Sequence, residues 1–103
     1  MEYLVRLTDR AFHDMRSIYE FIGAERSEAA LAWFKELTQA IDTLKSYPER
    51  GTLIQRKKNL RRLLFGEEPN IYRIMYVVDR KNKLARILHV RHGARSKETS
   101  LED

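Results

Sequence analysis

The 103-residue sequence contains no cysteine. This absence excludes disulfide bonds, thiolate zinc sites and a cysteine nucleophile. Histidine is also rare, with three residues scattered along the chain. Metal sites in proteins need several nitrogen, sulfur or oxygen ligands close together, so we expect neither a metal site nor a cofactor.

The sequence also lacks any long apolar run. A membrane-spanning helix needs about 18 or more consecutive apolar residues, and a signal peptide needs an apolar stretch near its start. The N-terminal segment, MEYLVRLTDR, carries acidic and basic residues instead. We therefore expect a cytoplasmic protein that does not contact a membrane.

The length and composition favour one small globular domain. Hydrophobic residues make up 43% of the chain and aromatic residues 10%, which is enough to build one core in about 100 residues. We assign residues 1–97 to this domain. The last six residues, ETSLED, are too polar to pack and are interpreted as a C-terminal tail over residues 98–103.

Positive charge is concentrated in the second half of the sequence. Residues 1–54 contain 7 Lys and Arg against 9 Asp and Glu, whereas residues 55–103 contain 13 against 6. A positive field of this kind attracts nucleic acid or an acidic protein segment. The charge pattern does not distinguish between these two partners.

Apolar periodicity predicts a short strand at residues 3–7 followed by two amphipathic helices. Thr8 is predicted to cap the first helix and Gly23 to end it. Ser27 is predicted to cap the second helix, which we expect to continue as far as Pro48.

From residue 60 onward the apolar period changes to two, which indicates three strands, at residues 60–65, 70–79 and 84–92. The preceding residues 49–59 are rich in Arg and Lys and lack periodicity, so they are predicted to form a basic loop. The predicted fold class is α+β with the order β-α-α-β-β-β. We expect the helical hairpin to pack on one face of a small, mainly antiparallel sheet.

Alternation along the strands separates an open face from a helix-covered face. Burying an unpaired arginine is costly, so the face that carries Arg73 is predicted to be the open one. Adjacent strand positions point to opposite sides, so either Arg61 or Arg62 must join Arg73. In the last strand we expect three residues on the open face, namely Ile87, His89 and Arg91. Three others are expected to face the helices, namely Leu84, Leu88 and Val90.

These basic residues have a chemical use. Guanidinium groups bind phosphate oxygens through paired hydrogen bonds, and several of them around one phosphate would stabilise the transition state of RNA cleavage. Such cleavage also needs a base and an acid. The nearby candidates are His89, His92 and either Glu67 or Glu68. The alternative, which we favour, is that the basic face is a docking surface for an acidic or phosphate-bearing partner.

The segments LRRLLFG, YRIMYVV and ILHVRHGARS, placed after a strand and two helices, resemble the RelE/ParE superfamily of type II toxin–antitoxin toxins. Plasmid stabilisation proteins belong to the same group. The resemblance covers essentially the whole chain and is strongest over residues 60–96. There the pattern YRI.Y is followed about a dozen residues later by VRHGAR, which is a specific combination.

The resemblance implies a bacterial toxin that arrests growth when free and is neutralised by a cognate antitoxin. It also implies that the toxin–antitoxin complex binds its own operator DNA through the antitoxin. Two activities occur in the superfamily. ParE-like members bind DNA gyrase and convert it into a DNA-damaging complex, whereas RelE-like members are mRNA interferases that cut ribosome-bound mRNA in the A site.

The site residues that the resemblance implies are basic. Arg73 matches the arginine of the RelE strand motif that handles the scissile phosphate. Other basic groups would come from four nearby residues, namely Lys57, Lys58, Arg61 and Arg62. The C-terminus departs from the RelE pattern, because Gly93 stands where RelE nucleases have a further arginine, and Thr99 where they have a tyrosine.

Three functions therefore remain open. A gyrase poison, which the departures slightly favour, would use the basic face for docking, with His89 among the contacts. A ribonuclease would use Arg73, Arg91 and Arg95 on the phosphate. His92 or His89 would then transfer the protons. A degenerate, non-toxic binding module is the third alternative.

Overall fold

The structure is a computed structural model that describes residues 2–93. Its elements are β1 (Leu4–Leu7), α1 (Asp9–Gly23), α2 (Ser27–Asp42), a 3-10 turn (Thr43–Lys45), β2 (Thr52–Gln55), β3 (Leu60–Glu67), β4 (Asn70–Asp79) and β5 (Leu84–His92). The described residues form one five-stranded sheet in the order β1-β5-β4-β3-β2. Strand β1 runs parallel to β5, and the other neighbours are antiparallel. The predicted α+β fold class is confirmed.

One strand was not predicted. Residues 49–59, expected to be a loop, contain β2, which pairs with β3 through Thr52 opposite Arg62 and Leu53 opposite Arg61. This strand is only four residues long, and its register shifts between Leu53 and Gln55. A strand so short and irregular leaves no period-two pattern in the sequence.

The first helix begins as predicted, because the Thr8 hydroxyl accepts a hydrogen bond from the Ala11 amide at 3.1 Å. The prediction for the second helix was wrong at both ends. Arg26, with an extended backbone, occupies the N-cap position, and Ser27 is the first helical residue. The helix ends at Asp42, well before Pro48, because the chain tightens into the 3-10 turn.

The hydrophobic core lies between the two helices and one face of the sheet. Helix α1 contributes Ala11 and Met15, and α2 contributes Leu37 and Ile41. The sheet supplies apolar residues from β3, β4 and β5, namely Leu63, Tyr72, Ile74, Tyr76, Val78, Ala85, Ile87 and Val90. Since strand residues alternate between faces, Arg73 lies on the face opposite the helices. No helix within residues 2–93 is long and apolar enough to cross a membrane.

Strand β5 contains a β-bulge that the alternation pattern did not predict. Met75 pairs with His89, but the next residue, Tyr76, pairs with Ile87, so Leu88 is an extra residue in β5. Before the bulge the phase is reversed, and Ala85 and Ile87 therefore join the core. The expectation that Ile87 lies on the open face was therefore wrong. Leu88 was expected to face the helices as part of a regular alternation, and it is instead the extra residue of the bulge.

The reversed phase also affects the start of β5. Leu84 pairs with Asp79, which shares the side of Arg73 by alternation. The prediction that Leu84 faces the helices was therefore wrong. His89, Val90 and Arg91 follow the bulge and keep their predicted sides.

Candidate functional site

Two neighbouring rows of paired residues bring three arginines and one histidine together on the open face of the sheet. In one row Arg62 of β3 pairs with Met75 of β4, which pairs with His89 of β5. In the next row Arg73 pairs with Arg91. Paired residues of an antiparallel ladder lie on the same side, with Cβ atoms about 4.5–5.5 Å apart. We call the surface formed by Arg62, Arg73, His89 and Arg91 the arginine face.

The residues of the arginine face are held close to the sheet. The three arginines are half-buried, and His89 is only 3% exposed. The Nε atoms of Arg62 and Arg73 and both ring nitrogens of His89 are shielded from solvent. Electrostatic attraction strengthens where water is excluded. The face is therefore suited to bind a carboxylate or a phosphate group.

Arg61 does not contribute to the arginine face. Its Nε donates to Asn59 Oδ1 at 2.9 Å, and its Nη1 donates to the carbonyl oxygens of Glu49 at 3.0 Å and Gly51 at 2.8 Å. The two bonds from Nη1 attach the segment before β2 to β3. Of the two adjacent arginines that the sequence left as alternatives, Arg62 is the one that the structure places beside Met75 on the open face.

Lys57 and Lys58 lie in the turn between β2 and β3, and both are exposed. The next residue, Asn59, has a φ of 52° and donates its amide to the Arg56 carbonyl at 3.0 Å, which closes the turn. The two lysines are thus at the end of the β2–β3 hairpin, outside the two rows that form the arginine face.

His92 is on the opposite side of the sheet from the arginine face. It pairs with Tyr72, and the two rings meet edge to face with centroids 5.1 Å apart. Its Nε2 lies 3.2 Å from Asn70 Oδ1. The sequence grouped His92 with Arg73 and Arg91 as a possible catalytic set, and in the described structure β4 and β5 separate His92 from both arginines. Successive residues of a strand point to opposite faces, so the structure does not bring His92 together with the two arginines.

His92 belongs instead to an open groove of about 750 Å³ between the helical hairpin and the sheet. Its walls include Phe21 and Trp33 from the helices and Phe65 and Tyr72 from the sheet. Three carboxylates also line it, namely Glu25, Glu36 and Glu67. We call this surface the aromatic groove.

Trp33 and Tyr72 also pack in or against the core, and the sequence analysis did not predict the aromatic groove. Within residues 2–93 the buried Trp33 Nε1 has no hydrogen-bond acceptor, and the Phe21 side chain is 65% exposed. The sequence feature that could have indicated this groove is Phe21 itself, because a large aromatic side chain exposed on a helix commonly marks an interaction surface.

Arg95 and the tail at residues 98–103 lie outside the described residues. Within the described part of the chain no group of three or more His, Asp or Glu side chains is placed to hold a metal ion.

Comparison with known proteins gives a consistent result. The family model for the ParE toxin of the type II toxin–antitoxin system, parDE, matches residues 5–97. The fold is similar to that of a chromosomal ParDE system from P. aeruginosa, with a TM-score of 0.72 and 18% identity over 88% of this chain and 96% of that chain. No curated protein matches the sequence.

Two further solved structures are similar. A mutant of E. coli toxin RelE in the free state has a TM-score of 0.65 and 15% identity over 92% of this chain and 88% of that chain. The RelBE2 toxin–antitoxin complex from Mycobacterium tuberculosis has a TM-score of 0.56 and 25% identity over 89% of this chain and 99% of that chain.

Proposed function

The chain belongs to the ParE toxin family of type II toxin–antitoxin systems, and from this we propose that its arginine face docks on DNA gyrase and thereby arrests growth. A cognate antitoxin holds the toxin inactive, and the complex binds its own operator DNA through the antitoxin. Two of the structures with a similar fold come from toxin–antitoxin systems, which supports an antitoxin as partner.

The observation that carries this proposal is the separation of Arg73 and Arg91 from His92. RNA cleavage needs a base and an acid within hydrogen-bond reach of the same phosphate. His92 and Glu67 line the aromatic groove on the other side of the sheet, and His89 is 3% exposed. Docking requires only that the guanidinium groups meet an acidic or phosphate-bearing surface.

The two surfaces can serve different contacts. The arginine face suits an acidic segment because its charged groups are positive. The aromatic groove suits an apolar segment with basic residues, since aromatic walls line it and its three carboxylates outnumber its one arginine, Arg26. An antitoxin tail that carried both kinds of sequence would cover both surfaces and block access to the arginine face.

The test is a supercoiling assay with purified DNA gyrase and relaxed plasmid. We expect the wild-type chain to inhibit supercoiling and to cause cleaved DNA to accumulate. The Arg73→Ala variant should require at least about tenfold more protein, which is typical of losing a central arginine from an interface. Arg16→Ala is the matched control, because Arg16 is 69% exposed on α1 and pairs with Glu20 on the same helix.

Two results would contradict the proposal. If gyrase is unaffected, but mRNA on programmed ribosomes is cut at the A-site codon and Arg73→Ala abolishes the cuts, the chain is a RelE-like ribonuclease. If neither target is affected and expression does not slow growth, the chain is a degenerate binding module. The SOS response in cells separates the first result from gyrase poisoning, because only DNA damage induces it.

A further inference from the structure

We infer that Thr8 and Asp14 are positioning residues for the arginine face, because they hold the β-bulge that places His89 and Arg91 beside Arg73. The inference rests on the proposed docking role of that face. Neither residue is part of the face itself, since Thr8 caps α1 and Asp14 lies within α1.

The bulge is needed because β5 places Ile87 and Val90 in the core and also places His89 and Arg91 on the open face. Ile87 is fully buried in the core before the bulge, and Val90 is 2% exposed in the core after it. Strict alternation from Ile87 would direct His89 and Arg91 toward the helices as well. The extra residue, Leu88, changes the phase, so Val90 enters the core while its two neighbours face outward.

The bulge lies where β5 loses its neighbouring strand. Strand β1 pairs with β5 only as far as Leu7 opposite Ile87, after which the chain turns into α1. The backbone groups of β5 beyond Ile87 must therefore find other hydrogen-bond partners on that side.

Thr8 binds the first of these groups. Its hydroxyl lies 2.8 Å from the Ile87 carbonyl oxygen and 3.0 Å from that of Leu88, and donates to them, while its amide donates to the Ile87 carbonyl at 3.0 Å. The same hydroxyl accepts from the Ala11 amide at the start of α1. Thr8 thus fixes the bulge to the first turn of the helix.

Asp14 binds the next group. Its Oδ2 accepts a hydrogen bond from the Val90 amide at 3.1 Å. The carboxylate also lies 3.9 Å from Arg10 Nε, one turn earlier in α1, and its side chain is 19% exposed. A charged acceptor strengthens the bond to the Val90 amide. The two residues therefore bind β5 on either side of the extra residue.

The variants separate positioning from general stabilisation. Thr8→Val keeps the shape of the side chain but removes the hydroxyl, whereas Thr8→Ser keeps the hydroxyl. Asp14→Ala removes the acceptor for the Val90 amide, whereas Asp14→Asn keeps one. Asp9→Asn is the matched control, because it changes the other acidic residue near the start of α1.

The experiment follows the folded state of the full chain by NMR and measures gyrase inhibition by the same variants. We expect Thr8→Val and Asp14→Ala to shift the Arg91 Nε–H and His89 ring resonances and to speed exchange of the Val90 amide at least about tenfold. Gyrase inhibition should weaken by about tenfold, as small displacements of contact groups weaken interactions that depend on orientation. Thr8→Ser, Asp14→Asn and Asp9→Asn should resemble the wild type.

Each contrary result has a distinct meaning. If Thr8→Val and Asp14→Ala speed the exchange of all slow amides alike and leave the Arg91 and His89 resonances unchanged, the two residues only stabilise the fold and the inference is wrong. If these resonances shift but the variants still inhibit gyrase like the wild type, the proposed role of the arginine face is wrong, whereas the positioning stands.

Discussion

Arg73 of β4 and Arg91 of β5 are direct partners in the antiparallel ladder, on the face of the sheet opposite the helices. Like charges placed directly opposite each other destabilise a sheet. The proposed docking role would account for this pair, because two guanidinium groups on adjacent strands can donate to one carboxylate or phosphate from two directions. The geometry thus favours one shared anionic group over two independent contacts.

Shared binding predicts that the two arginines act together. We expect Arg73→Ala and Arg91→Ala each to weaken gyrase inhibition by at least about tenfold, and the double variant to be little worse than either single variant. A double-mutant cycle on the supercoiling assay measures the coupling. Losses that simply multiply would show that the two arginines contact separate groups.

The two adjacent arginines of β3 are predicted to affect different properties, Arg61 the stability of the fold and Arg62 the inhibition of gyrase. Arg61→Ala removes two hydrogen bonds to the segment before β2 and one to Asn59 in the β2–β3 turn, so we expect the free energy of unfolding to fall by about 2 kcal/mol. Gyrase inhibition per folded molecule should remain at the wild-type level, because Arg61 is not part of the arginine face.

Arg62→Ala is the matched variant. Arg62 lies on the arginine face beside Met75, so we expect inhibition to weaken while the free energy of unfolding changes by less than about 1 kcal/mol. Urea unfolding and the supercoiling assay measure the two properties separately. Equal effects of both variants on inhibition would show that the assignment of faces is wrong.

The sequence predicted β4 and β5 with the same bounds as the structure, since long alternating runs carry a strong signal. It did not predict the bulge at Leu88, because the bulge is fixed by bonds from Thr8 and Asp14, which are distant in the sequence. The choice between Arg61 and Arg62 likewise depends on strand register, which local sequence does not determine.

The sequence identified the basic residues and histidines that could form a site, and the structure shows which of them lie on the same face of the sheet. Arg73, His89 and Arg91 share one face as expected. His92 does not, because it follows Arg91 on a regular part of β5 and therefore points the other way. The aromatic groove needs the helices and the sheet in place together, so no single segment of the sequence indicates it.

Tyr76 is predicted to stabilise the start of β2 through its hydroxyl group. The hydroxyl donates to the Pro48 carbonyl at 2.7 Å and accepts from the Gly51 amide at 2.9 Å, and the side chain is fully buried. We expect Tyr76→Phe to lower the free energy of unfolding by about 1–3 kcal/mol, since it leaves a buried amide without its partner. Tyr47→Phe, at a tyrosine that is 69% exposed, should be neutral in the same urea titration.

The same hydroxyl predicts a loss of stability at alkaline pH. Burial raises the pKa of Tyr76 above its ordinary value of 10.0, so the folded state favours the neutral phenol. The stability that the neutral Tyr76 phenol contributes to the fold is fully present below pH 10. It is lost as the pH rises through the raised pKa of the folded state, because the unfolded chain releases the proton first. The midpoint temperature of thermal unfolding, measured from pH 9 to pH 11, should fall more steeply with pH for the wild type than for Tyr76→Phe. Parallel curves would contradict this assignment.

Substitution of His92 distinguishes a docking function from a catalytic one. A general acid or base contributes about 10²–10⁴-fold to a rate, so a ribonuclease that used His92 would lose nearly all toxicity in His92→Ala. The structure places His92 against Tyr72 and Asn70, away from the arginine face, and we expect growth inhibition by the free chain to persist. Inhibition can be followed after induced expression without antitoxin, at matched levels of folded protein. His13→Ala, at an exposed position on α1, is the control, and a loss confined to His92→Ala would favour the nuclease.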